Sequence, residues 1–215
     1  MRARTAWTAA QGEPAVTLLL RHGQTPMSVQ KRYAGRTDVP LTDAGLAQAA
    51  AAAKRLASAG IDAIVASPLQ RTVQTAEQVA AVTGLPVVTE DGFRETDFGA
   101  WEGLTFAEVR ERWPSEMTAW LADPQVAPPG GESFAEVSER VSAALHRVLV
   151  GRTGQRILIV SHVTPIKTLV AAALLAPPPA LFRMHLDVAA LSEIDWYPDG
   201  PAVLRSYNDT AHLNS

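Results

Sequence analysis

Three short runs of the chain are almost entirely apolar: residues 16–20 (VTLLL), 63–66 (AIVA) and 157–160 (ILIV). Each is strand-length, and a strand apolar on both faces belongs inside a parallel sheet covered by helices. The stretches between them carry helix start and stop signals. Thr42 is placed to cap a helix that runs through the Ala-rich stretch 48–57 and stops at Gly60. Ser67 and Pro68 open a second, closed by Gly84. Thr105 with Glu108, and Ser133 with Glu136, have the spacing of capping boxes, the latter helix ending near Gly151. Thr164 and Pro165 open another, stopped by Pro177, and runs 190–195 and 202–207 read as late strands. The composite predicts an α/β fold, a doubly wound, mostly parallel sheet with helices on both faces. The mixed, aromatic-rich stretch 98–129 interrupts this alternation and is expected to form a small cap over one end of the sheet. Residues 1–14 have no periodicity and read as a linker or disordered tail, leaving 15–215 as the folded domain.

Composition narrows the chemistry. With 47% hydrophobic and 19% charged residues in 215, the chain can bury a sizeable core. It has no cysteine, which removes disulfides, Cys-ligated metals and thiolate nucleophiles. Nineteen basic against 22 acidic residues give a net charge of −3, so direct nucleic-acid binding by this domain is not expected. An anion site must then come from a few focused arginines. A membrane span needs about 18 consecutive apolar residues. No such run is present, and the start of the chain lacks a signal-peptide core, so a cytoplasmic protein without membrane contact is expected.

Each buried strand runs into reactive residues. The first leads into Arg21-His22-Gly23, the second into Ser67-Pro68 with Arg71 just beyond, and the third into Ser161-His162. Ligands of open parallel sheets bind at the carboxyl ends of the strands, so two histidines and two arginines are expected to converge there. Two guanidinium forks suit a phosphate or carboxylate, and a neighbouring imidazole can act as nucleophile or base. Gly23 would let the backbone approach an oxyanion, and Gln24 and Thr25 would add neutral donors.

These residues resemble the motifs of the histidine phosphatase superfamily, the phosphoglycerate-mutase-like group. Arg21-His22-Gly23-Gln24-Thr25 is similar to its RHGxT motif, and the Leu41-Thr42-Asp43-Ala44-Gly45 stretch with Gln48-Ala49 to its LTxxGxxQA motif. Ser67-Pro68-Leu69-Gln70-Arg71 with Thr75-Ala76, the run from Glu95 to Gly103, Pro129-Gly130-Gly131-Glu132-Ser133, and Val160-Ser161-His162 follow in the family's order. Within the superfamily the details look most like α-ribazole phosphatases, and closer still like the C-terminal acid phosphatase domain of actinobacterial bifunctional ribonuclease H/acid phosphatase proteins. That likeness implies that residues 1–14 end a linker from a tethered nuclease domain.

The resemblance implies an enzyme that hydrolyses small phosphorylated substrates through phosphohistidine, with no cofactor and no metal. It assigns His22 as nucleophile and Glu95 as proton donor. Arg21, Arg71 and a cationic His162 would surround the phosphoryl oxygens. Gly23, Gln24, Thr25, Ser28 and Val163 are the candidate substrate contacts. Ser28 stands where many members have Asn, and Val163 where many have Gly. Glu102 reads as structural, paired with an arginine, and the aromatics Trp101, Phe106, Trp113 and Trp120 as packing. Competing readings are a cofactor-dependent phosphoglycerate mutase, a non-catalytic phospho-ligand-binding relative, and a metallohydrolase using His22, His162 and Asp209.

Overall fold

The computed structural model describes residues 11–214. Six strands form one sheet: β1 (Ala15–Arg21), β2 (Ala63–Ala66), β3 (Val87–Thr89), β4 (Arg156–Ser161), β5 (Leu191–Trp196) and β6 (Ala202–Asp209), in the order β3-β2-β4-β1-β5-β6. The first four positions in that order are parallel, whereas β5 is antiparallel to β1 and β6 to β5. The mixed α/β architecture thus matches the pattern of apolar runs. The edge strand β3, half-exposed and only three residues long, carries too little periodicity to be read from the sequence.

Among the described residues seven α-helices accompany the sheet: α1 (Pro26–Val29), α2 (Asp43–Leu56), α3 (Gln70–Thr83), α4 (Phe106–Arg112), α5 (Pro114–Ala122), α6 (Phe134–Leu149) and α7 (Val163–Ala173). One sheet face packs on α2 and α3 through Leu18, Leu20, Ile64, Leu158 and Val160. The other packs on α6 and α7 through Leu19, Val65, Ile157 and Ile159. This alternation of Leu18, Leu19 and Leu20 between faces is why β1 has to be apolar on both sides. Buried aliphatic side chains of this kind stabilise by about 1.5–3 kcal/mol each. The alanines of the 49–53 run sit against the sheet, where Ala49, Ala52 and Ala53 are buried and let α2 approach closely.

A third cluster joins Phe98, Trp101, Val109, Met117 and Trp120 of the cap to Phe134 of α6, Ala171 of α7 and Leu181. The cap is therefore wider than the 98–129 insert. The loop carrying Tyr33 and the 3₁₀ segment Pro178–Arg183 belong to it as well. Of the segment expected to be a tail, residues 1–10 lie outside the described residues. Residue 11 donates its amide to Asp199 Oδ2 at 3.0 Å, and the Pro14 carbonyl accepts from Gly154.

Three helix starts follow their own sequence signals: Thr42, Thr105 and Ser133 each accept from the amide three residues on. The start of α3 does not. Ser67 was expected to open this helix, but it begins at Gln70, whose amide is taken by Asp38 Oδ1 at 2.7 Å. The Ser67 hydroxyl is instead turned to His162.

Gly23 and Gly45 set the distance between the first loop and α2. A Cβ on Gly45 would lie 2.1 Å from the Gln24 carbonyl oxygen, and one on Gly23 would lie 2.4 Å from the Gly45 carbonyl oxygen. Gly45→Ala is thus expected to reverse the usual gain from removing a helical glycine. It should destabilise the protein by about 2–3 kcal/mol through overpacking against backbone. Urea unfolding of the variant checks this, and an increase in stability would contradict the packing described.

Candidate active site

The site is assembled by strand register. Arg21, the last residue of β1, is the partner of Ser161, the last of β4, and the His22 amide donates to the Ser161 carbonyl at 3.1 Å. His22 and His162, the next residues along two adjacent parallel strands, are therefore side by side, with ring centroids 5.2 Å apart. The Ser67 amide bonds to the Val160 carbonyl and brings the end of β2 to the same place. The five residues His22, Arg21, Arg71, Glu95 and His162 are thus brought together from separate parts of the chain.

Hydrogen bonding fixes both imidazoles. His22 Nδ1 lies 2.8 Å from the Gly23 carbonyl, which can only accept, so Nδ1 carries the proton and Nε2 keeps a free lone pair. Arg71 Nε donates to His162 Nδ1 at 3.2 Å. His162 Nδ1 is therefore the acceptor, and Nε2–H donates to Ser67 Oγ at 2.8 Å. Both rings are buried, at 5% and 0% exposure. Burial, reinforced by the cations Arg71 and Arg21, holds both well below the ordinary histidine value. The free site thus contains two neutral imidazoles. This corrects the expected cationic His162: a guanidinium N–H already points at its Nδ1, leaving no room for a second proton there.

Arg71 is 1% exposed. Besides His162 it donates to the carbonyls of Thr37 at 2.8 Å, Ala34 at 2.6 Å and Gly35 at 2.9 Å. It thereby pins the loop after α1, and one of its five N–H groups remains for a ligand. Arg21 Nη1 donates to the Leu186 carbonyl at 2.6 Å. Burial pushes its guanidinium down to about 10, still a cation at neutral pH.

Glu95 lies in the loop after β3, 7% exposed. Its Oε2 accepts from the Val163 amide at 3.1 Å, and its Oε1 from the Thr164 and Thr96 amides at 3.2 and 2.9 Å. A carboxylate thus occupies the positive end of α7, a favourable position for an anion. The loop itself is braced. Ser161 Oγ donates to the Phe93 carbonyl at 2.7 Å, and Arg140 donates to the Gly92 and Arg94 carbonyls while pairing with Glu132 through two 2.8 Å bonds.

A cavity of about 370 Å³ opens over these groups. Arg21, His22, Arg71 and Glu95 border it, together with Thr25, Ser28, Val163 and Thr164, while His162 is packed directly behind His22. Two expected contacts do not reach it. Gln24 accepts from the Thr42 hydroxyl at 2.9 Å and supports the loop, and Gly23 gives its amide to Thr75 Oγ1 and its bare Cα to the Gly45 contact. Ser28 and Thr25 form a capping box on α1, so the Ser28 hydroxyl proton is given to the Thr25 carbonyl. Glu102 accepts from the Arg36 and Thr37 amides and the Thr37 hydroxyl, not from an arginine side chain as expected.

The sequence reading missed the far walls of the cavity. Tyr33, Phe98, Trp120, Phe134 and Phe182 form an aromatic wall, with Trp120 and Phe134 centroids 4.9 Å apart and Trp120 edge-on to Phe182 at 5.7 Å. Trp120, read as packing alone, both packs and lines the cavity. Burial pushes the Tyr33 hydroxyl up to about 12, so it is a neutral phenol. Arg32 and Lys167 supply two further cations. The i, i+4 spacing of Val163 and Lys167 on α7 was the available signal. Asp209 is not among the lining residues. Among the described residues no group of three or more His, Asp or Glu side chains is placed to hold a metal ion, and no helix is long and apolar enough to cross a membrane.

The sequence matches the histidine phosphatase superfamily (branch 1) over residues 17–210. It is 50% identical over 208 residues to the bifunctional protein Rv2228c of Mycobacterium tuberculosis, covering 96% of this chain but only 57% of that protein. The chain thus spans little more than half of that relative. It is 36% identical over 204 residues to the probable phosphoglycerate mutase GpmB of Yersinia enterocolitica, covering 91% of this chain and 94% of that one. Among solved structures, the mycobacterial glucosyl-3-phosphoglycerate phosphatase Rv2419c in complex with VO3 superposes with a TM-score of 0.82. The two are 32% identical, covering 91% of this chain and 100% of that one.

The two neutral histidines make stability depend on pH. Their folded values lie below the ordinary 6.5, so below that pH the unfolded chain binds more protons than the native one. Stability should be fully present above pH 6.5 and decline as the pH falls, by about 1.4 kcal/mol per pH unit for each histidine until the folded site takes up its protons. Urea unfolding between pH 7.5 and pH 5 measures the slope. His162→Asn should make it shallower, and an unchanged slope would show that His162 is not buried neutral.

Proposed function

The chain belongs to the histidine phosphatase superfamily (branch 1) and is an enzyme of phosphatase or mutase type, and from that premise we propose that it hydrolyses small phosphomonoesters through a phosphohistidine, without a metal. The observation that carries the reading is the Nδ1–H bond of His22 to the Gly23 carbonyl. It leaves Nε2 as an unprotonated nucleophile in the wall of a cavity rich in cations. Burial keeps that nitrogen unprotonated below the ordinary histidine value, which suits activity at acid as well as neutral pH.

In the proposed reaction His22 Nε2 attacks phosphorus and the bond to the ester oxygen breaks. Arg21 and the remaining N–H of Arg71 neutralise the phosphoryl oxygens. Glu95 gives a proton to the leaving alcohol, then takes one from the water that attacks phosphohistidine. Its Oε2 has a single amide partner against two for Oε1, so Oε2 is the oxygen assigned to the proton. His162 supports the site through Arg71 and Ser67. Hydrolysis is favoured over mutase chemistry because the walls beyond the phosphoryl pocket are mainly aromatic and, of the two further cations there, Arg32 is paired with Glu108, so that Lys167 is left where a second phosphate needs a cluster of cations.

For the whole protein, the proposal includes a tether to a second domain, a nuclease by resemblance. The bifunctional name and greater length of the mycobacterial relative support it. Contact with nucleic acid is not assigned to this domain, whose net charge is −3.

Hydrolysis of p-nitrophenyl phosphate in excess EDTA tests the reading. Wild type should stay active, and His22→Ala should lose essentially all turnover. Glu95→Gln should slow turnover by about 10²–10⁴-fold. Acid-labile labelled phosphoprotein should form with wild type and not with His22→Ala. Loss of activity in EDTA would refute the metal-free mechanism, and transfer to a phosphoglycerate without release of inorganic phosphate would favour the mutase.

A further inference from the structure

The proposed reaction leaves two cations of the cavity wall without a task, Arg32 and Lys167, and of these Arg32 is paired with Glu108. Lys167 sits on α7 one turn beyond Val163 and Thr164, whose amides hold Glu95. Its Nζ reaches across to the Leu181 carbonyl at 3.3 Å, beside Phe182 of the aromatic wall, in the same cavity as Glu95. The side chain is half-buried and, among the described residues, has no carboxylate within ion-pair distance. Burial, the largest influence, lowers its pKa, with Arg21 acting in the same direction and Glu95 opposing. In the free site the Glu95 carboxylate offsets part of the cost of holding a partly desolvated ammonium against one carbonyl; once Glu95 carries the proton it is to donate, that offset is gone and another anion has to complete the site.

The other cavity cations are accounted for. Arg71 is spread over His162 and three loop carbonyls, Arg21 is bonded to Leu186, and Arg32 is paired with Glu108 at 3.0 Å. Charge bookkeeping for the reacting state points the same way. With Glu95 carrying the proton it is to donate, Arg21 and Arg71 balance a phosphoryl dianion, and the charge of Lys167 is left over. The remaining wall, Phe98, Trp120, Phe134 and Phe182, is apolar and suits a flat or hydrocarbon body.

We infer that Lys167 is a specificity-determining residue that reads a carboxylate or similar anion on the leaving group. The preferred substrates are then phosphomonoesters of alcohols or phenols that carry an apolar body and a second acidic group. The inference rests on the phosphatase reading above and assigns the part of the cavity which that reading leaves open.

Phenyl phosphate and its 3- and 4-carboxylated analogues supply the test, because they share the transferred group and differ in the anion. Wild type should prefer at least one carboxylated ester in kcat/KM by about tenfold or more, the range of a charged hydrogen bond. Lys167→Met, which keeps the apolar stem, should bring that ratio close to one, and Lys167→Arg should retain most of it. Equal turnover of all three esters by wild type would overturn the inference while leaving the phosphatase reading intact. So would a preference that survives in Lys167→Met, or a uniform loss on every ester, which would place the amine on the phosphoryl group. Turnover of none of the esters by wild type would overturn the phosphatase reading, and this inference with it.

Discussion

Everything at the site depends on the parallel register of β1 and β4. Arg21 opposite Ser161, with the His22 amide on the Ser161 carbonyl, places two imidazoles from distant parts of the chain within 5.2 Å of each other. A slip of one residue would turn every side chain of β1 to the opposite face of the sheet. Leu18, Leu19 and Leu20 each have a committed core on their own side, so the packing that stabilises the fold also enforces the geometry of the candidate site.

The second constraint is the treatment of charge taken out of water. Burying an ion costs several kcal/mol unless donors or acceptors replace the lost solvent. The site meets this with backbone groups. Arg71 is dressed by three loop carbonyls and an imidazole, and Glu95 by three amides. Each such bond to a charged group is worth about 1.5–3 kcal/mol. The functional side chains are therefore also the fasteners of the cap. Arg71 ties down residues 34–37, and Glu95 docks its loop on α7. Removing either would disorganise the cavity as well as its chemistry.

The histidines take the opposite route and remain neutral. Two imidazoles sharing a buried space with two guanidiniums cannot both be charged. The hydrogen-bond partners of each ring are consistent with one tautomer only, which leaves His22 Nε2 as the unpartnered nitrogen. Ground-state neutrality and nucleophilicity thus have the same cause. The phosphoryl dianion of the proposed reaction would meet cations held until then by backbone dipoles and by the carboxylates of Glu95, Asp187, Asp38 and Glu102.

The features legible in the chain are those that depend on near neighbours. The apolar runs around Leu18, Ile64 and Leu158 announced buried strands, because a strand covered on both faces has no polar position to offer. The caps Thr42, Thr105 and Ser133 were legible because donor and acceptor lie three residues apart. The ordered motifs pointed to the candidate site residues because each strand end contributes its own short segment. Tertiary structure alone decided what is supplied from a distance. The start of α3 is capped by Asp38 and that of α7 by Glu95, both from loops far away in the chain. Such caps leave no local spacing to read. Ser67 carries a local helix-start signal, although its hydroxyl orients His162. Gln24 and Gly23, expected at the ligand, hold the loop against α2. The protonation of His162 and the aromatic wall facing Lys167 were equally out of reach. Burial and field depend on groups gathered from the whole chain, and a residue's neighbours in space are set only once the sheet has closed.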